Sequence, residues 1–388
     1  MFNIKTFNKI SAVGLDTFDK DRYTYGDDIN NPDGAIVRSA SLHETEFPKS
    51  LKAIARAGAG TNNIPVERCA KDGIVVFNTP GANANAVKEL VIAGLFLSSR
   101  KIVPAIDWAK TLKGNGAEVG KMVEKGKSAF AGPEISGKSL GVIGLGAIGV
   151  LVANAASALG MKVYGYDPYL SVNAAWNLTH DVVHATDLKE IFENCDYITI
   201  HVPLTPDTKG MINEESIATM KDGVRILNFA RGALVDSAAV IKALGDGKVA
   251  SYITDFPDDD LIGVNGVIAI PHLGASTPES EDNCAKMAAA ELMDYLENGN
   301  IVNSVNMPNI SMPRSGKHRI CVIHNNVPTM LNQITGVVSE INIENMLNKS
   351  RGDYACTLLD ISETDEGKID TLKAAIEGIK DVIKVRVL

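Results

Sequence analysis

The sequence has little cysteine and no paired cysteine motif. Cys69, Cys195, Cys284, Cys321 and Cys356 are widely spaced, odd in number and never arranged as C-x-x-C. That excludes a disulfide framework and gives no zinc-site spacing. A basic excess is also lacking: 38 Lys and Arg face 47 Asp and Glu, for a formal charge of -9. A general nucleic-acid binder would need a basic face, and no nucleic-acid partner is expected. The first ten residues carry no long apolar core and no small-residue cleavage site, so no secretory leader is expected. A cytoplasmic location is the simplest expectation. No repeat array is found. The 45% hydrophobic content excludes disorder as the main character. The 388 residues predict two or three domains, at roughly 100–200 residues each.

Long apolar runs are scarce as well. The one stretch long enough to span a bilayer is 139–161. Four glycines cluster in its first half, and Asn154 and Ser157 interrupt the second. A buried strand, a glycine turn and a buried helix fit it better, and no membrane association is expected.

What is present is alternation. Strands are predicted at 53–55 and 74–77, with helices at 65–71 and 87–99. Residues 111–139 are rich in Lys and Gly, poor in periodicity, and read as a connection. The alternation restarts with strands at 140–144, 162–166, 197–201, 224–229, 250–254 and 267–270. Helices are predicted at 148–159, 187–194 and 280–298. Alternating strands and helices predict parallel sheets covered by helices. A Pro-marked linker follows at 307–317. The last 70 residues or so read βαββαβ, a ferredoxin-like unit.

Gly144-Leu145-Gly146-Ala147-Ile148-Gly149 follows a predicted strand and opens a helix. In that context G-x-G-x-x-G is a dinucleotide fingerprint. The first glycine makes the tight turn, the second admits the pyrophosphate, and the third lets helix and strand pack. The helix amino end offers free N–H groups to phosphate. Asp167 ends the next strand and suits ribose hydroxyls, while repelling a 2′-phosphate. NAD is therefore the expected cofactor. The fingerprint starts far from the amino end, so the first βα unit must be another domain, one expected to hold substrate.

Three further segments follow predicted strands, where open α/β sheets bind ligands. They carry Arg231, the run Asp255-Phe256-Pro257-Asp258-Asp259-Asp260, and His272. An arginine fork suits a carboxylate. A histidine suits removal of a hydroxyl proton, and a carboxylate partner orients it. Each has a structural alternative: an Arg231–Asp236 ion pair, a core histidine, a solvated acidic loop. Their joint occurrence after a nucleotide turn favours a site.

R-A-G-A-G-T-N-N-I at 56–64, F-N-T-P-G-A-N-A at 77–84, G-L-G-A-I-G at 144–149, Y-D-P-Y-L at 166–170, R-G-A-L-V-D at 231–236 and P-H-L-G-A-S-T at 271–277 resemble the D-isomer-specific 2-hydroxyacid dehydrogenases. The resemblance implies an α/β fold of two doubly wound parallel-sheet domains, flavodoxin-like and Rossmann, plus the ferredoxin-like tail. The flavodoxin-like substrate domain would take 1–103 and 281–307, the Rossmann NAD domain 104–280, a linker 308–317, and the tail, similar to an ACT regulatory domain, 318–388. It implies oxidation of 3-phosphoglycerate with NAD, in the route to serine. Another D-2-hydroxy acid, or a non-catalytic NAD-sensing corepressor, is the alternative.

By that resemblance Arg231 binds the substrate carboxylate and His272 exchanges the proton. Asp260 stands where the family has a glutamate, with Asp259 a possible substitute. Asp255 would meet the nicotinamide carboxamide. Thr79, Val202, Ala230, Arg231, His272, Gly274 and Ala275 would also line the NAD site. Arg38 and Arg56 match arginines for phosphate. The N–H groups of Ala57, Gly58, Ala59 and Gly60, with Asn83, would hold the carboxylate end. His324, Asn326 and Asn342 match positions that bind L-serine in relatives, and Thr329 replaces a frequent glycine. A homodimer or homotetramer is expected.

Overall fold

Residues 34–37, 53–56 and 75–78 are short runs of almost wholly apolar residues, as strands buried on both faces require. In the computed structural model, which describes residues 1–388, they form the centre and one side of a five-stranded parallel sheet. Its order is Tyr23–Gly26, Phe2–Phe7, Gly34–Val37, Ala53–Arg56, Val75–Asn78. This is the flavodoxin-like order. Phe2–Phe7 and Tyr23–Gly26 lie ahead of the first predicted strand. The helix Pro278–Asn298 returns to this sheet and buries Ala285, Ala288, Leu292 and Leu296 against Ile36, Ala55 and Phe77.

The tail is a four-stranded antiparallel sheet in the order Ile343–Arg351, Tyr354–Ile361, His318–Asn325, Val382–Val387. Helices Met330–Val337 and Glu366–Glu377 complete βαββαβ. One sheet face packs on them through Ile320, Val322, Leu359, Ile334 and Ile376. The other places Cys321, Ile323, Cys356 and Leu358 in the same core as Leu296 and Phe77. The alternation of a two-faced strand thus joins the tail to the first domain. Arg319, wholly buried, pairs with Asp360 at 2.6 Å and donates to the carbonyls of Met312, Pro313 and Asn298. That pins the linker segment to the tail.

By contacts the chain divides into a first unit, Met1–Asn83 with Pro278–Leu388, and a second, Ala84–Thr277. The second holds a seven-stranded parallel sheet: Val267–Ala269, Val249–Thr254, Val224–Asn228, Tyr197–Ile200, Ser139–Ile143, Lys162–Tyr166, Val183–His184. Numbered within the unit, the order contains 3-2-1-4-5-6, the doubly wound dinucleotide-binding order. Helix Ala84–Arg100, expected with the substrate domain, packs here. Its Val87, Val91 and Leu95 join Leu140, Val142 and Leu227, and Gly94 allows the close approach to Leu227 and Phe229.

The stretch 139–161 is strand Ser139–Ile143, turn, and helix Ala147–Ala158. No helix is long and apolar enough to cross a membrane. The stretch 111–139, expected as a connection, contains helix Val119–Gly126, and helix Ile102–Thr111 precedes it. Neither buries a residue, so no core pattern marks them in sequence.

Candidate active site

The glycine turn of the second unit has three different local environments. Gly144 has φ +93°, and a Cβ there would lie 2.7 Å from the His201 carbonyl oxygen. At Gly149 a Cβ would lie 1.9 Å from the Gly144 carbonyl oxygen, so only glycine lets helix and turn pack. At Gly146 a Cβ would meet nothing within 4 Å. The space that glycine leaves is open, as a pyrophosphate path requires.

Gly146 precedes Ala147 and Ile148 at the start of the helix, and no side chain caps its N–H groups. They remain for an anion. Val202 packs against Gly144. Asp167 accepts from the N–H groups of Leu145 at 2.9 Å and Tyr169 at 2.8 Å, one to each oxygen. The carboxylate is thereby fixed beside the turn, with lone pairs left for ribose hydroxyls. These features fit NAD on geometry alone.

Buried Asn228 shapes the next strand end. It donates to the Arg231 carbonyl at 2.9 Å and accepts from the Ala230 N–H at 3.1 Å. The Arg231 guanidinium donates to the Ala230 carbonyl and stands 5.6 Å from the Phe256 ring centre. Asp236 does not pair with it; Asp236 caps helix Ser237–Gly245 through the Ala239 N–H. His272 is exposed, not a core histidine, and its ring lies 4.4 Å from the same Phe256 ring, tilted 44°. One aromatic side chain therefore gathers Arg231 and His272. Nothing in the sequence singled out Phe256 for that role.

Asp255 is 2% exposed, and neither carboxylate oxygen has a well-formed hydrogen bond. Burial pushes its acid dissociation up, opposed by the charges of His272 and Arg231 and by the nearby main chain of Gly274. Two orphaned acceptors in such a place fit the donors of a carboxamide.

Asp260, expected as the acid for His272, does not reach it. Asp258, Asp259 and Asp260 are all exposed, and no carboxylate lies within ion-pair distance of the imidazole. The Asp258 carboxylate accepts from the Leu261 N–H and the Ser237 hydroxyl, which ties the run to its own loop. His201, at the neighbouring strand end, was not picked out by sequence. Burial holds it neutral, with its pKa lowered to about 4, and it meets Thr199 at 3.0 Å.

In the first unit, Arg56 ends one strand and Arg38 follows the adjacent one. Arg56 donates to the Arg38 carbonyl at 3.2 Å, and its guanidinium curls over Gly58, where φ is +146°. Arg38 pairs with Glu281 at 2.6 Å. Of the four expected main-chain donors, two are already used: the Ala57 N–H goes to Val37 and the Gly58 N–H to Arg56. Those of Ala59 and Gly60 donate to no main-chain carbonyl. The Thr79 hydroxyl is buried without a partner, and half-buried Asn83 ends this part of the unit.

In the tail His324 is 2% exposed, with one ring nitrogen on the Asn325 carbonyl at 2.8 Å and the other on Thr357 at 3.0 Å. Asn326 and Asn342 are exposed and donate to the Gly352 carbonyl and to Glu344. Thr329 has φ +69°, a left-handed conformation that explains why glycine suits this position.

Residues 94–274 match the family "D-isomer specific 2-hydroxyacid dehydrogenase, NAD binding domain". The chain is 34% identical over 326 residues to the D-3-phosphoglycerate dehydrogenase of Bacillus subtilis, covering 79% of this chain and 59% of that protein. It thus spans little more than half the length of that curated relative. A Schizosaccharomyces pombe protein provisionally named for the same enzyme is 31% identical over 370 residues, 88% of this chain and 75% of its own. The NAD+-bound 3-phosphoglycerate dehydrogenase of Entamoeba histolytica is similar in structure, with TM-score 0.59, 27% identity, and coverage of 79% and 98%. Fold order, glycine turn and these similarities agree: the chain belongs to the D-isomer-specific 2-hydroxyacid dehydrogenases and carries their NAD-binding domain.

Proposed function

We propose that the chain oxidises the hydroxyl of D-3-phosphoglycerate to a ketone, giving 3-phosphohydroxypyruvate. The observation that carries this reading is the trio of Arg231, Phe256 and His272 beside buried Asp255, at strand ends of a dinucleotide-binding sheet. NAD, when bound, supplies the electron acceptor.

His272 takes the alcohol proton at a ring nitrogen. Arg231 presents its fork to the carboxylate next to the reacting carbon, and Phe256 limits its swing. Within the first unit, Arg38 and Arg56, with the N–H groups of Ala59 and Gly60, suit an anionic group such as a phosphate. The curated relatives of Bacillus subtilis and Methanocaldococcus jannaschii, named D-3-phosphoglycerate dehydrogenase, support the choice of substrate.

The test is NAD reduction by the purified chain with D-3-phosphoglycerate. Turnover that is lost in His272→Ala is expected. Absence of turnover in the intact chain would overturn the reading.

Three finer readings go with it. Exposed Ile102, Val103, Ile106, Met122 and Val123 on the two unburied helices support a homodimer through the second unit, checked by sedimentation. Five buried free thiols support a reducing, cytoplasmic setting. Exposed Asn326 and Asn342 support an L-serine site in the tail, with His324 supporting the strand end from within. A thermal shift with L-serine that disappears in Asn326→Ala is expected.

A further inference from the structure

Away from both glycine turns, the first unit holds a strongly basic recess of about 440 Å³. Arg22, Lys52, Arg314, Lys373 and Arg386 line it, against Glu297 and the chain-end residue Leu388. Leu296 and Val385 give it an apolar surface. It takes Lys373 and Arg386 from the tail, and Arg22 and Lys52 from the first sheet and its loops.

Cations outnumber acids in the lining, although most of them have a partner. Glu297 is occupied by Arg22 at 2.9 Å and by the Tyr23 hydroxyl at 2.5 Å. Lys52 has Asp33, and Lys373 has only a loose contact with Glu377 at 3.9 Å. Arg314 donates to the Glu297 carbonyl and to an oxygen of Leu388, the last residue of the sequence. Arg386 is 8% exposed, donates to the Tyr295 and Leu296 carbonyls, and lies 4.4 Å from the Tyr295 ring centre, without a carboxylate. Beside them Lys384 donates to the Leu51 carbonyl. Its ammonium is lowered to about 8 by burial and then by Lys52 and Arg386. A recess whose lining is net positive is unexpected in a chain of net charge -9.

We infer that this recess binds a small organic anion carrying two or more carboxylate or phosphate groups. Such a ligand would meet several of these cations and touch tail and first sheet at once. Its binding energy would then stabilise the tail against the first sheet. The site is separate from Arg38, Arg56 and Gly58, and its test does not depend on dehydrogenase activity.

The experiment is calorimetric titration and thermal unfolding of the full chain with citrate, in the presence of saturating NADH. Arg22→Gln/Lys373→Gln is the recess variant; both side chains are largely exposed, and Lys373→Glu alone is the second variant. Arg56→Gln is the comparison at the other anion-binding set. We expect citrate to raise the unfolding midpoint of the wild type and of Arg56→Gln. Both recess variants should lose at least tenfold in citrate affinity. Wild-type affinity in both recess variants would overturn the assignment. So would loss of binding only in Arg56→Gln, no binding to the wild type, or an equal shift from sodium chloride at matched ionic strength.

Discussion

Gly58 and Gly146 both stand where a parallel strand gives way to a glycine turn, yet the space each leaves is used differently. At Gly146 a side chain would meet nothing within 4 Å. At Gly58 a Cβ would fall 1.4 Å from a guanidinium nitrogen of Arg56. The first turn is filled by the chain's own cation, and the second is left open beside uncapped helical N–H groups. A glycine motif alone does not tell these cases apart. One brings a side chain to the ligand, and the other brings the ligand to the main chain.

The chemistry of the second unit should give the largest effect. His272→Ala should lower kcat by about 10²–10⁴-fold, the usual worth of a general base. NAD affinity and unfolding midpoint should stay near wild type, read by fluorescence titration and calorimetry. An unchanged kcat would remove His272 from the reaction.

Gly146→Val sharpens the comparison directly. Its φ of -76° suits any residue, and the space is open, so the fold should persist. NAD affinity should fall tenfold or more, about 1.4 kcal/mol. Wild-type NAD affinity would place the pyrophosphate elsewhere.

Gly58→Ala should do the opposite. It displaces Arg56, so KM for a phosphorylated substrate should rise several-fold, roughly 1 kcal/mol, while NAD affinity holds. A lowered NAD affinity would break the contrast between the two turns.

The smallest effect lies in the tail. Thr329→Gly should stabilise the chain by about 1 kcal/mol, because it relieves a left-handed non-glycine residue. An unchanged midpoint in chemical denaturation would show that Thr329 carries no such strain.

Much of the second unit is legible in sequence. The fingerprint needs only strand, turn and helix in order, and each glycine has a local reason to be there. Arg231, Asp255 and His272 each follow a strand that their own apolar neighbours announce. The acid partner of His272 is different. Counting residues leads to Asp260, but the run 258–260 is exposed and forms no ion pair with the imidazole. Phe256 is equally hidden, since its role depends on two loops that are distant in sequence. Of the expected donors at 57–60, two are consumed by hydrogen bonds that only the fold reveals.

By itself the sequence determined the alternation, the glycine turn, the acid for the ribose and the βαββαβ tail. These rest on periodicity and backbone freedom, which act within a few residues. The tertiary structure alone decided that helix Ala84–Arg100 packs with the second sheet, that the tail shares a core with the first, and that five cations line one recess. Packing and electrostatics depend on distance in space, and residues far apart along the chain carry no mark of the neighbours they will meet.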